Sequence, residues 1–254
     1  MSKRTKWILG AGIAGVIAVA AVLYFFVLGG ADDPVSLEEA VGEVTQNTTP
    51  TESQPPNTAT DPTQGATATT DAETADGAGL DGTWILATGL DSFVGYRVQE
   101  DLDPIGAATA SGRTRAVTAT LQIEGSDITD VFIDADVSQL ESDRSNRDRA
   151  LRSRGLESST FPQATFQLTA PIELGSVPED GQAVTVTAVG DLTAHGVTRS
   201  VTAAIDAQLT DGVIAVVGTI DLKLSDFDIS GLTGFAVLSV EDEAQLEFQL
   251  LFTR

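Results

Sequence analysis

Residues 117–137 read Val117-Thr-Ala-Thr-Leu-Gln-Ile-Glu-Gly-Ser-Asp-Ile-Thr-Asp-Val-Phe-Ile-Asp-Ala-Asp-Val137. Val117, Ala119, Leu121 and Ile123 fall on one side of an extended chain, and Val131, Ile133, Ala135 and Val137 repeat the pattern. Asp130, Asp134 and Asp136 take the opposite side. Successive side chains of a strand point to opposite faces, so these are two strands with one dry and one wet face. Glu124-Gly-Ser-Asp127 between them carries the residues of a tight turn.

The same period extends outward in both directions. Val94, Tyr96 and Val98 share a face, as do Ala164, Phe166 and Leu168, and then Val184, Val186, Ala188 and Leu192. Val201/Ala203/Ile205/Ala207/Leu209, Ile214/Val216/Gly218/Ile220/Leu222/Leu224 and Leu246/Phe248/Leu250/Phe252 follow, with turns at His195-Gly196 and Thr210-Asp-Gly212. Eight or so hairpin-linked strands make an all-β domain, an up-and-down barrel or a sandwich. Several runs are long for a sandwich and suit tilted barrel strands. A barrel of about eight strands either fills its interior or holds one small ligand. The small inward residues Ala119, Ala135, Ala188, Ala203, Ala207 and Gly218 leave room for a cavity, although flat sandwich packing also uses alanine. Parity places Val186, Ile205 and Phe248 inside, and Thr187, Asp206 and Glu247 in water.

One stretch breaks the rhythm. From Leu140 to Phe166 alternation stops, and Arg147, Ala150, Leu151 and Arg154 recur at helical spacing. Ser142 or Asp143 can cap a short helix over Ser142–Arg154, Gly155 can end it as a left-handed C′ residue, and Phe161-Pro162 restores extended backbone. Its arginines 144, 147, 149, 152 and 154 admit two readings. They pair with Asp143, Asp148 and barrel carboxylates, or they form a cationic rim for an anionic head group.

Ahead of the strands, residues 8–28 carry no charge, follow Lys3, Arg4 and Lys6, and precede Asp32 and Asp33. As a helix they would reach about 31 Å, the thickness of a bilayer core, with the N-terminus cytoplasmic. Residues 1–31 therefore read as a membrane anchor, or as a cleaved signal. Residues 32–79 lack aromatics, are rich in threonine and proline, and read as a disordered acidic linker. As a coil they span roughly 35–42 Å r.m.s.. Residues 80–254 are the folded domain. The net charge of −23 opposes binding to nucleic acid. The absence of cysteine excludes disulfides, thiolate metal sites and a lipidated N-terminal cysteine.

Four stretches in order resemble the YceI-like family of exported, lipocalin-like barrels. They are Trp84 with Ser92-Phe-Val-Gly-Tyr-Arg-Val98; Arg147-Asp148, Leu151-Arg152 and Phe161-Pro162 through Phe166; Gly190-Asp-Leu-Thr-Ala-His-Gly-Val-Thr-Arg199; and Glu241-Asp242 through Leu246 to Leu250. Where the family often has histidine before the first serine and near the end of the second strand, this chain has Asp91 and Glu100. The resemblance implies an antiparallel up-and-down barrel with one short helix, holding a long isoprenoid or other apolar lipid in its bore.

The function expected is that of a membrane-tethered, extracytoplasmic binding protein. Val94, Tyr96, Val98, Leu151, Leu156, Phe166, Leu168, Val186 and Leu192 are the candidate cavity wall, and Arg147 and Arg152 the candidate head-group contacts. The alternative is a surface interaction domain with a filled barrel. No catalytic residue, metal or cofactor is assigned, and a homodimer is admitted. His195 reads as a turn residue bonded to backbone, and Asp191 and Arg199 as a pair across its hairpin. Arg113 and Arg115 read as a small cationic patch, and Asp134/Asp136 and Asp226/Asp228 as carboxylate pairs without a calcium-loop spacing.

Overall fold

The hairpin at 117–137 forms β4 (Val117–Glu124) and β5 (Asp127–Asp136), turned at Gly125 with φ 64°. Val117 lies opposite Ala135 and Leu121 opposite Val131, but the register shifts between Gln122 and Ile123. That bulge lets Ile128, out of period with Val131, meet Ile123 inside the barrel. The computed structural model describes residues 31–48, 79–230, 232–234 and 237–254. The apolar stretch 8–28 lies outside the described residues, among which no helix is long and apolar enough to cross a membrane.

The remaining strands are β1 (Gly82–Leu86), β2 (Phe93–Leu102), β3 (Gly106–Thr114), β6 (Glu141–Ser142), β7 (Gln163–Leu168), β8 (Ile172–Glu173), β9 (Ala183–Ala194), β10 (Val197–Thr210), β11 (Val213–Lys223) and β12 (Val237–Thr253). β1 and β2 run along one stave, broken at 87–92, and β3 and β4 descend beside them, as Val94↔Thr114 and Thr83↔Gln122 show. The staves continue antiparallel through β5, β7, β9, β10 and β11 to β12. β12 closes the barrel on β2 (Phe248↔Val94) and β1 (Phe252↔Leu86), giving an eight-stranded antiparallel barrel. Two type I′-like turns sit where expected, His195-Gly196 (φ 51° and 74°) and Asp211-Gly212 (φ 51° and 78°).

The barrel has two ends. The turns Glu124–Asp127 and Thr210–Val213 mark the turn end. The β2–β3 connection, residues 137–162, the His195-Gly196 turn and residues 224–230 gather at the helix end. There α2 (Ser145–Ala150) continues into a π turn, Leu151–Gly155. The helix is shorter than Ser142–Arg154, and neither Ser142 nor Asp143 is its N-cap. Arg144 holds that place without a side-chain bond. Ser142 instead gives its N–H and hydroxyl to Asp148 at 3.0 and 2.6 Å. Gly155 is not left-handed; Glu157 is, at φ 44°. Gly155 is required for space, since a Cβ there would lie 2.3 Å from Leu232.

The second correction is larger. The stretch expected to be linker from residue 32 is docked on the barrel as far as residue 48, while residues 49–78 lie outside the described residues. Leu37–Thr48 form α1, with Ala40 and Val44 fully buried against Val213, Ala215, Val217 and Leu251. These four point outward from β11 and β12, so α1 dries a patch of the outer wall. Ahead of it, Arg97 and Arg113 donate to the carbonyls of Asp32 and Asp33, and the Asp32 N–H donates to Ser111 at 2.8 Å.

Candidate functional site

The interior is not filled. A cavity of about 230 Å³ runs through the barrel, far above the ~10–15 Å³ that holds one water. Its wall comes from every stave, through residues such as Val94, Val98, Leu121, Ile133, Phe166, Val186, Ala203, Ile205, Val216 and Leu246. Val186, Ile205 and Phe248 line it, as parity predicts. Ala119, Ala188 and Ala203 are buried inward positions that keep the side-chain layer thin. Gly218 works differently from the expectation that it leaves room. The Phe248 ring lies over it, and a Cβ would meet that ring at 2.4 Å. Gly190 accommodates Phe166 in the same way, at 2.3 Å.

Of the nine residues assigned to the wall from sequence, Val94, Tyr96, Val98, Leu151, Leu156, Phe166, Val186 and Leu192 line the cavity. Leu168 does not reach the wall and is buried in the surrounding core. At the helix end the cavity is covered by Leu140, Leu151 and Leu156 from one connection and by Phe227, Ile229 and Leu232 from the other. The second group has only a weak signal in the sequence, where Phe227 and Ile229 alternate with Asp226 and Asp228 in a run too short to mark a strand.

The two arginines assigned to a head group have different surroundings. Arg147 turns inward and donates to buried Glu100 and to Asp143. Burial works against its charge, but the two carboxylates more than offset this and its pKa is raised. Arg144 also pairs with Asp143, at 3.2 Å, so the pairing reading holds for both. Arg152 is exposed, its guanidinium donating to the Ser138 carbonyl at 3.4 Å. Tyr96 links the cavity wall to this charged cluster. Its ring needs Gly112, where a Cβ would lie 2.8 Å away, and its buried hydroxyl has no hydrogen-bond partner among the described residues. Burial, opposed by Arg147 and reinforced by Asp148, Glu100 and Asp143, raises its pKa well above that of a free tyrosine, so the phenol stays neutral.

His195 has the structural role read for it. Its Nδ1 lies 3.0 Å from the Phe227 carbonyl, its Nε2 lies 3.5 Å from Glu157, and its ring meets Phe161 edge-on. It thereby joins both connections that cover the cavity. Asp191 and Arg199 do not pair across the hairpin, because Asp191 opposes Ser200 and Arg199 opposes Leu192. The Arg113/Arg115 patch is neutralised, Arg115 by Asp91 at 2.5 Å and Arg113 by Glu247 at 2.9 Å.

The outer wall holds one more departure. Glu247, expected in water, is 1% exposed. It accepts from Arg97 and Arg113, each at 3.0 Å, and Arg113 also stacks on Phe93 at 4.2 Å.

Comparison with known proteins follows this architecture. The profile of the YceI-like domain family matches residues 90–252. A polyisoprenoid-binding domain from Saccharophagus degradans, implicated in plant cell wall breakdown, is similar in structure with a TM-score of 0.54 and 15% identity. The alignment covers 67% of this chain and 97% of that one. BcnA of Burkholderia cenocepacia is similar with a TM-score of 0.50 and 20% identity, over 64% of this chain and 96% of its own. Among curated proteins none matches the sequence.

Proposed function

The chain belongs to the YceI-like domain family, and on that footing we propose that it binds an isoprenoid or similar apolar lipid in the barrel and carries it outside the cytoplasmic membrane. The observation that carries this reading is the cavity of about 230 Å³ walled by aliphatic and aromatic side chains. Such a space excludes water, and a hydrocarbon chain entering it gains about 25 cal/mol for each Å² it buries. A filled barrel serving only as an interaction surface does not match a void of this size. The polyisoprenoid-binding relative supports the same ligand class.

Binding is the activity, without catalysis. The chain portion of the ligand lies along Val94, Val98, Phe166, Val186 and Leu192, and its head lies at the helix end. Arg147 is committed to Glu100 and Asp143, so Arg152 is the better placed of the two arginines to meet a head group from solvent. Residues 8–28 anchor the protein in the membrane with the barrel on the far side.

The test is organic extraction of the purified protein followed by mass spectrometry. An isoprenoid or comparable lipid, recovered near one per barrel and absent after Val186→Trp and Ile205→Trp fill the bore, is the expected result. Recovery of no lipid, together with no uptake of added polyprenols, overturns it. Retention of the full chain in carbonate-washed membranes checks the anchor separately.

A further inference from the structure

Residues 32–48, which lie between the apolar stretch and the barrel, are fastened to the barrel wall. Asp32 bonds Ser111, Arg97 and Arg113, and Glu43 of α1 accepts from the Asp91 N–H and from Gln249. The chain free to separate a span ending at Leu28 from the docked Asp32 is then four steps long, at most about 14 Å. That is well short of the roughly 35–42 Å r.m.s. of a free linker over 32–79. The segment that remains, residues 49–78, begins at the end of α1 and returns to β1, so both of its ends are held by the barrel. It cannot act as a stalk.

We infer that the barrel sits directly on the bilayer surface with its helix end toward the lipid, an inference that rests on the reading of residues 8–28 as an anchor. Arg97, Ser111 and Arg113 lie on β2 and β3, whose connecting turn carries Ile105, 39% exposed. β12, paired to β2 at Val237↔Leu102, begins with Leu238, 60% exposed. On the other flank β3 pairs with β6, which leads into the exposed Arg149 and Arg152. Asp32 is held at mid-wall, about 17 Å along β2 from the end of that strand at Leu102. The chain runs on from it through Asp33 and α1 toward the turn end. The tether therefore comes from the helix-end side, whose rim carries these two aliphatic tips and two arginines. Exposed Asp103, Glu141 and Glu241 are interspersed with them, so attraction of charge does not hold this rim to lipid. The short tether does so by keeping its local concentration at the surface high, while the acidic remainder of the chain is repelled from anionic lipid. A lipid entering beneath Leu156 and Phe227 then passes from bilayer to bore without crossing bulk water.

The chain has no native cysteine, so single cysteines can be labelled cleanly. Full-length Ile105→Cys, Leu238→Cys and, at the turn end, Asp180→Cys are each coupled to an environment-sensitive fluorophore. Each is placed in lipid nanodiscs containing nitroxide-labelled phospholipid. Quenching at 105 and 238 but not at 180 is expected. Inserting twenty Gly/Ser residues between Gly30 and Ala31, roughly 25 Å r.m.s. of added tether, should abolish it while leaving the barrel and α1 untouched. Equal quenching at all three sites, or rim quenching indifferent to the insertion, overturns the inference. Carbonate extraction separates the two failures. Protein retained in the bilayer with an unquenched rim sinks this inference alone, whereas protein washed off sinks the anchor and this inference with it.

Discussion

The β9–β10 hairpin and the β11–β12 pair share one inner face but differ in what covers their outer one. In β9, Val186, Ala188 and Leu192 point inward, while Thr185, Thr187, Val189, Asp191 and Thr193 are exposed or nearly so. In β11 the inward Ile214, Val216 and Ile220 alternate with outward Val213, Ala215 and Val217, which are 9%, 0% and 4% exposed. The outward residues Glu247, Gln249 and Leu251 of β12 are as deeply buried. Residues 32–48 make the difference. Alternation tells which residues share a face, but whether water lies on that face depends on what else the chain folds over it.

The strongest test of that contrast uses two outward carboxylates of equal parity. Asp206, on β10, is exposed and accepts from Thr185 at 2.5 Å. Glu247 is enclosed by Arg97 and Arg113. Glu247→Ala leaves two guanidinium groups facing each other without their shared partner. Breaking a buried pair in this way costs about 3–5 kcal/mol, read as a fall in the urea midpoint. Asp206→Ser should shift it by no more than about 0.5 kcal/mol. Equal losses would mean that Glu247 is no more enclosed than Asp206.

Next in size is the cover itself. Val44→Asp places a charge where α1 meets Val213, Val217 and Leu251. The helix is expected to undock, losing about 2 kcal/mol or more of side-chain burial, with the barrel still folded. Limited proteolysis should then cut within 32–48, and an apolar dye should bind the uncovered strip. Ala188→Asp on the inner face should instead unfold the barrel, because no segment can move aside to release that charge into water.

A smaller effect is expected inside the bore. Gly190→Ala and Gly218→Ala each press a methyl group into the ring of Phe166 or Phe248 and against the backbone carbonyl of Gln167 or Ala204, at 2.6 and 2.7 Å. Overpacking of this kind costs about 1–3 kcal/mol. The ring can move into the cavity but the carbonyl cannot, so both lipid capacity and thermal stability should fall. If stability falls and lipid uptake does not, the rings are not part of the ligand wall.

Much of this was legible in the sequence, and the failures have physical causes. Period two located the staves and six of the assigned wall residues, Val94, Tyr96, Val98, Phe166, Val186 and Leu192, because every stave has one face in the bore. Leu151 and Leu156 came instead from the break in that period. The docking of α1 was also written in the chain. Leu37, Ala40, Val41 and Val44 stand at helical spacing, and Val213-Ile-Ala-Val-Val217 and Leu250-Leu-Phe252 have no polar alternate, the mark of a strand buried on both sides. The first signal is diluted by the Thr/Pro-rich composition of residues 49–78, and the second lies in the outward parity, which alternation with the bore does not report. Arg147 is a different case. Its helical spacing was visible, but its partner Glu100 lies on β2, and only the closed barrel brings them together.

The smallest expected effect returns to β12 and to a third carboxylate. Asp242 accepts from the N–H of Ser225 at 2.8 Å and from its hydroxyl at 2.7 Å, fastening the turn Leu224–Phe227 whose Phe227 covers the cavity. Those two bonds favour the ionised form and hold its pKa below the ordinary carboxylate value. A carboxyl whose folded pKa lies below its unfolded one stabilises the fold fully above the unfolded value, near 4. The contribution is lost as pH falls through the folded pKa. Asp242→Asn should therefore be slightly less stable than the native chain at pH 7, and the gap in urea midpoint should narrow as the pH is lowered below about 4. Glu247→Ala should show a far larger gap at pH 7, since its partners are enclosed. A gap for Asp242→Asn that persists unchanged at pH 3 would assign the role to the shape of the side chain and not to its charge.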